Sequence, residues 1–177
     1  MSNTLVSNRP ANDNLCNATA LPTGANSVLD ANEDVGFLTN QRNICASMEF
    51  GEAAEGGASN NQTVWYKFRT GATSLDYIEV DANGTGADCS FFFGLIPGTF
   101  FPRIHVFEDP TGSAVCSGYN NINMASDEDF LDFSLFRIDC PKPNTTYYVQ
   151  VDDGWTSICA TGTFEIKVRS GPTINRG

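Results

Sequence analysis

Few side chains in the sequence could do covalent chemistry, and their spacing limits them further. A serine or cysteine nucleophile needs a base within hydrogen-bond reach, and the chain has a single imidazole, His105. It stands in Ile104-His105-Val106-Phe107, where strand alternation turns it to the face opposite Ile104 and Val106, as a surface or structural histidine. No Gly-x-Ser-x-Gly elbow, phosphate-cradling glycine loop or His-Glu-x-x-His signature occurs. Glycoside hydrolysis asks only for two carboxylates about 5 to 9 Å apart, so a small β-sandwich glycoside hydrolase or lyase stays open as the remaining enzyme class. The densest acid sets, Asp127-Glu128-Asp129 and Asp152-Asp153, point neighbouring carboxylates in divergent directions, as a solvated loop does. The sequence therefore reads as non-catalytic.

Binding chemistry has more candidates. Calcium takes six to eight oxygens gathered from loops. Asn12-Asp13-Asn14, the acids at 30, 33 and 34, Glu108-Asp109 and Asp152-Asp153 have that composition without an EF-hand spacing. Carbohydrate recognition uses exposed aromatic rings beside amides and acids. Trp155, after Asp152-Asp153-Gly154, fits best, and Tyr119 in Ser117-Gly118-Tyr119-Asn120-Asn121 is second. Turn formation, and a tryptophan plugging the end of the fold, are the structural alternatives at these positions.

The whole chain bounds these sites. Its 177 residues suit one domain, and 13 Phe, 5 Tyr and 2 Trp can fill a core. A formal net charge of −11 repels nucleic-acid phosphates and anionic lipid, while it attracts cations and basic surfaces. Cys16, Cys45, Cys89, Cys116, Cys140 and Cys159 form no CxxC pair or zinc spacing. They suit up to three disulfides and hence an oxidising, extracellular or cell-surface setting, with buried thiols as the alternative. No stretch has the roughly 20 apolar residues of a membrane span, so no direct membrane insertion is expected. Residues 1–10 lack the apolar stretch of a signal peptide, so the chain reads as an excised domain or mature fragment. A virion or other non-secretory protein with reduced thiols also fits.

The elements that must position these residues are short strands. In Val64-Trp65-Tyr66-Lys67-Phe68-Arg69, Val64, Tyr66 and Phe68 share one face and Lys67 and Arg69 the other, with Trp65 covering an edge or a second cluster. Residues 77–81, 146–152 and 163–169 alternate likewise, with Ile78 and Val80, Tyr147, Val149 and Val151, and Phe164, Ile166 and Val168 inward. Residues 104–108 and 129–138 are also strand-like, and only 121–131 has room for a helical turn. Clusters of Gly, Pro, Asn and Asp separate these runs, which predicts an all-β, antiparallel β-sandwich over residues 16–170. A linker at 1–15, an exposed loop at 52–62 and a tail at 171–177 complete the organisation.

Pro10-Ala11-Asn12-Asp13-Asn14-x-Cys16, Val64-Trp65-Tyr66-Lys67-Phe68 and Asn144-Thr145-Thr146-Tyr147-Tyr148-Val149-Gln150-Val151-Asp152 occur in this order. With the closing run 162–168, they make the chain resemble the bacterial pre-peptidase C-terminal (PPC) domain family, similar also to the collagen-binding domains of collagenases. The resemblance spans about Pro10 to Arg169. It implies a jelly-roll-like sandwich of about 8–10 strands, appended without catalytic function to secreted hydrolases and surface proteins. By the same resemblance an N-terminal linker helps to chelate calcium, which singles out Asn12 and Asp13, while Asp152 and Asp153, after the Tyr-rich strand, are metal candidates from composition alone. It also implies sequential cysteine pairing: Cys16 with Cys45, Cys89 with Cys116, and Cys140 with Cys159. The expected function is an extracellular attachment module meeting a protein or glycan surface. Carbohydrate binding is the alternative, and self-assembly is open.

Overall fold

Alternating apolar and polar side chains leave each strand one face to bury, and two sheets satisfy that need against each other. The computed structural model describes residues 9–23, 28–30, 35–47, 62–91, 96–98, 100–109, 123–124, 135–153, 159 and 161–172. The described strands are β1 (Thr19–Ala20), β2 (Val28–Leu29), β3 (Val35–Arg42), β4 (Val64–Thr70), β5 (Tyr77–Ala87), β6 (Ser90–Phe91), β7 (Ile96–Pro97), β8 (Pro102–Asp109), β9 (Asn123–Met124), β10 (Leu135–Asp139), β11 (Thr146–Asp153) and β12 (Gly162–Ser170). The larger sheet runs β1-β4-β11-β8-β9, with β2 also on β4, and the smaller runs β10-β5-β12-β3. The fold is the expected all-β sandwich. It adds a feature that alternation does not encode, since β1 and β2 lie parallel to β4.

The inward faces are those the sequence marks. Val64, Tyr66, Phe68, Ile104, Val106, Tyr147, Val149 and Val151 of the larger sheet meet Ile78, Val80, Ala82, Phe164, Ile166 and Val168 of the smaller. Tyr66 stands edge-on to Phe164 across the sheets, with ring centroids 6.1 Å apart, and Phe68 stacks on Tyr147 at 5.3 Å. Phe100 joins this core beside Phe164, whereas Phe101 is exposed. A second cluster forms on the outer face of the larger sheet. There Trp65, Phe107 and Tyr148 pack with Leu15 and Ala18 around a single 3-10 turn at Leu15–Asn17. Of the expected helical region, residues 123–124 form β9, and its other residues lie outside those described. The loop at 52–61 and residues 129–134 also lie outside them.

Burial fixes the protonation of three phenols. It pushes Tyr66 far above its ordinary value, and it raises Tyr147, against a hydrogen bond from the Lys142 N–H, and Tyr148. The folded chain thus holds protons that the unfolded chain releases near pH 10.0. The stabilisation is complete below that pH and is lost as pH rises further. The melting temperature should therefore fall between pH 9 and 11, and Tyr66→Phe should flatten that fall; an unchanged alkaline slope would contradict it.

The cysteine bonding departs from sequential pairing. Cys89 bonds to Cys159, Cys16 is disulfide-bonded, and among the described residues Cys45 and Cys140 are free. Strand register explains why Cys140 does not reach Cys159. Gly162 sits opposite Ala87 in the β12–β5 ladder, so the residues just before β12 and just after β5 meet. Asp139 sits opposite Tyr77, at the other end of β5. The eleven residues of β5 put roughly 30 Å between those ends, against the 7 Å or less between Cα atoms that a disulfide allows. Gly98 completes the seat of the bond. Its N–H donates to the Cys89 carbonyl at 3.0 Å, and a Cβ there would lie 2.1 Å from Cys159 Sγ.

Candidate functional site

Asn12 and Asp13 were expected in a linker, but both are buried and docked. The Asn12 carbonyl accepts from the Trp65 N–H at 2.9 Å, and its side-chain amide donates to the Trp65 carbonyl at 2.9 Å. Asn12 therefore pins the entering chain to β4 at Trp65. Asp13 holds the segment after β3: its Oδ1 accepts from the Ser47 N–H, and its Oδ2 accepts from Ser47 Oγ at 3.0 Å and from Arg9 at 3.1 Å. Ordered chain thus begins at least at Arg9, earlier than Cys16.

These contacts bear on calcium. Both carboxylate oxygens of Asp13 already accept from protein donors. Asp152 is fully buried, and its two oxygens accept from Arg103 Nε at 2.8 Å and from a terminal guanidinium nitrogen at 2.9 Å. Asp153 pairs opposite Pro102 in the ladder, and its side chain lies outside the described residues. Among the described residues no group of three or more metal-ligating side chains comes together. At Asp13 and Asp152 a calcium ion would have to displace donors that the carboxylates already hold. Asp13→Ala should cost about 2 kcal/mol, the scale of hydrogen bonds to a charged group. Urea unfolding should show the same loss in calcium and in chelator, and a calcium-dependent difference would restore the ion.

The outer face of the larger sheet is polar along one row, yet buried. Gln150 lies opposite Trp65 on one side and His105 on the other, and Asp152 lies opposite Arg103. Arg103, His105, Gln150 and Asp152 are all buried. His105 faces away from Ile104 and Val106 as expected, as a structural residue of this row. Within the row, Arg103 and Asp152 neutralise each other.

The outer face of the smaller sheet is open. Register lines up Leu135, Asp81, Lys167 and Phe37 across its four strands, and beside them Arg137, Glu79, Arg169 and Val35. Glu79 is clamped between Arg137, at 3.5 Å, and Arg169. Arg137 also lies 3.8 Å over the Tyr77 ring and bonds Asp139, whose carboxylate beside it pushes the guanidinium further up from its ordinary range. At the edges Val35, Phe37 and Leu135 are 46%, 43% and 41% exposed; with Phe101 they are the exposed large apolar residues among those described. Sequence reasoning did not assemble this face. Its signal lies in β3, where Val35 and Phe37 point outward around the buried Gly36, an alternation that inverts the usual pattern.

Tyr119, Trp155 and Cys116, and the acids at 127–129, lie outside the described residues. Among those described no helix is long and apolar enough to cross a membrane. In comparisons with family models, curated proteins and solved structures, nothing matches the chain.

Proposed function

We propose that the chain is a non-catalytic attachment module of an extracellular or cell-surface protein, which docks on another protein through the outer face of its smaller sheet. One observation carries this reading: three exposed apolar side chains, Val35, Phe37 and Leu135, flank an arginine-rich ion-pair row on one face. Apolar groups combined with arginine and tyrosine are the composition of protein interfaces. In a chain of net charge −11, the pairing of Glu79 with Arg137 and Arg169 also makes this face less repulsive to an acidic partner. The oxidised Cys89 and Cys159 favour an extracellular setting.

The resemblance to the PPC family supports the same reading, because the segments that carry it come together. Asn12 bonds to Trp65, and Tyr147, Val149 and Val151 pair along β4 with Phe68, Tyr66 and Val64. The test is binding of labelled protein to a panel of extracellular matrix proteins and glycans, beside a screen for glycoside turnover. Saturable binding to a protein that Phe37→Ser with Leu135→Ser abolishes, without loss of melting temperature, is the expected result. Glycan binding lost on Trp155→Ala would favour a carbohydrate-binding module instead. Turnover abolished by neutralising one carboxylate would make the chain an enzyme.

A further inference from the structure

Asn-x-Thr motifs stand in the sequence at Asn17, Asn61, Asn83 and Asn144. A threonine two residues after an asparagine, with no proline between, is the pattern that N-linked glycosylation reads in an exported chain. Ala18, Gln62, Gly84 and Thr145 fill the middle positions, so none of the motifs is blocked. The motif is short, and asparagine has structural uses of its own. What each side chain does in the fold therefore separates the motifs, and Asn61 lies outside the described residues.

Other asparagine side chains are engaged. Asn12 donates to the Trp65 carbonyl, Asn14 accepts from the Asn17 N–H, Asn40 donates to Thr39 Oγ1, and Asn43 bonds the Gln62 carbonyl and the Gly162 N–H. Asn83 donates to Asp81 at 3.1 Å. Asn17 and Asn144 differ: both are exposed, and neither side chain makes a hydrogen bond among the described residues. Their backbones are nevertheless fixed. The Asn17 N–H donates to Asn14 Oδ1 at 3.1 Å, on a turn whose Leu15 and Ala18 pack with Trp65, Phe107 and Tyr148. The Asn144 N–H donates to the Gly71 carbonyl at 2.8 Å, just before β11. Each amide is thus offered to solvent from a held backbone, and a glycan on either would break no side-chain contact.

We infer that Asn17 and Asn144 carry N-linked glycans, an inference that rests on the extracellular reading above. The bond between Cys89 and Cys159 belongs to the same oxidising route of export. Location agrees with the docking face. The turn of Asn17 packs on the outer face of the larger sheet, and Asn144 leads into β11 of that sheet, so neither belongs to the strands that hold Val35, Phe37 and Leu135. Asn83, by contrast, lies in β5 opposite Glu165, within the smaller sheet. In the transfer, the asparagine Nδ2 attacks C1 of an oligosaccharide carried on a polyprenyl pyrophosphate. The C–N bond forms as the C1–O bond breaks, the pyrophosphate leaves with the electron pair, and the amide gives one proton to a base of the transferase. Nothing is oxidised or reduced.

The experiment takes the chain from the secreted fraction of its native cells and treats it with a peptide N-glycosidase in heavy-oxygen water, which turns each glycosylated asparagine into a labelled aspartate. Peptide mapping should find the label at positions 17 and 144. Produced in the same cells, Asn17→Gln and Asn144→Gln should each remove one step of the electrophoretic shift. Thr19→Ala should act as Asn17→Gln does, while Thr19→Ser keeps the step, which separates the motif from any loss of fold. A secreted chain with no label at 17, or none at 144, would overturn the inference and leave the extracellular reading standing. A chain confined to the cell interior with Cys89 and Cys159 reduced would overturn both. Label at Asn83 beside the other two would uphold the glycans and strike the docking face instead.

Discussion

Replacing Arg103 with methionine is expected to cost the fold about 3–5 kcal/mol, the scale for removing one partner of a buried ion pair. The reason lies in where the carboxylate sits. Asp152 is fully buried on β11, with both oxygens taken by one guanidinium, so the substitution removes the positive charge and leaves a negative one away from water. Met fills much of the volume of the arginine stem, which separates charge from packing. The double variant Arg103→Met with Asp152→Leu should recover most of the loss, since an apolar pair of similar shape often matches a buried ion pair. Urea unfolding of the two single variants and the double one closes the cycle. A loss under 1 kcal/mol for Arg103→Met would show that the carboxylate reaches water or another cation.

The second large effect concerns the bond between Cys89 and Cys159. It closes a loop with a sequence separation of 70, and loop-closure entropy sets its contribution at about 4 kcal/mol. Replacing both cysteines with serine should remove about that much in urea unfolding, with the β-sheet circular dichroism unchanged below the transition. Mapping with trypsin and chymotrypsin under non-reducing conditions, which cuts between Cys140 and Cys159, should recover one peptide pair spanning Cys89 and Cys159. A peptide linking Cys140 to Cys159 would contradict the strand register as well as the bond.

The strands were legible because their chemistry is local. Val64-Trp65-Tyr66-Lys67-Phe68, the run to Val151 and the closing run to Val168 each alternate every second residue, and each buries the predicted face. Pairing was not legible, since the long strands switch sheet at every step: β3, β5, β10 and β12 lie in the smaller sheet and β4, β8 and β11 in the larger. No turn signal identifies a partner that is many residues away. The disulfide followed the pairing, so a sequential guess failed with it. Asp13 and Asp152 were legible as acids but not as acids already satisfied, because Ser47 and Arg103 reach them only through the fold. The outer face of the larger sheet showed its second layer only faintly. Trp65, Phe107 and Tyr148 stand at positions that alternation assigns to solvent, and that excess of aromatics was the available signal.

The position of β12 has a consequence for biosynthesis. This strand lies between β5 and β3, which touch each other only through it, and β11 likewise separates β4 from β8. The two central strands are thus made after the strands they join, so a nascent chain stopped before Gly162 holds strands of the smaller sheet whose shared neighbour has not yet been made. Folding must wait for translation to pass Ser170, and until then the unpaired hydrophobic strands need shelter from aggregation.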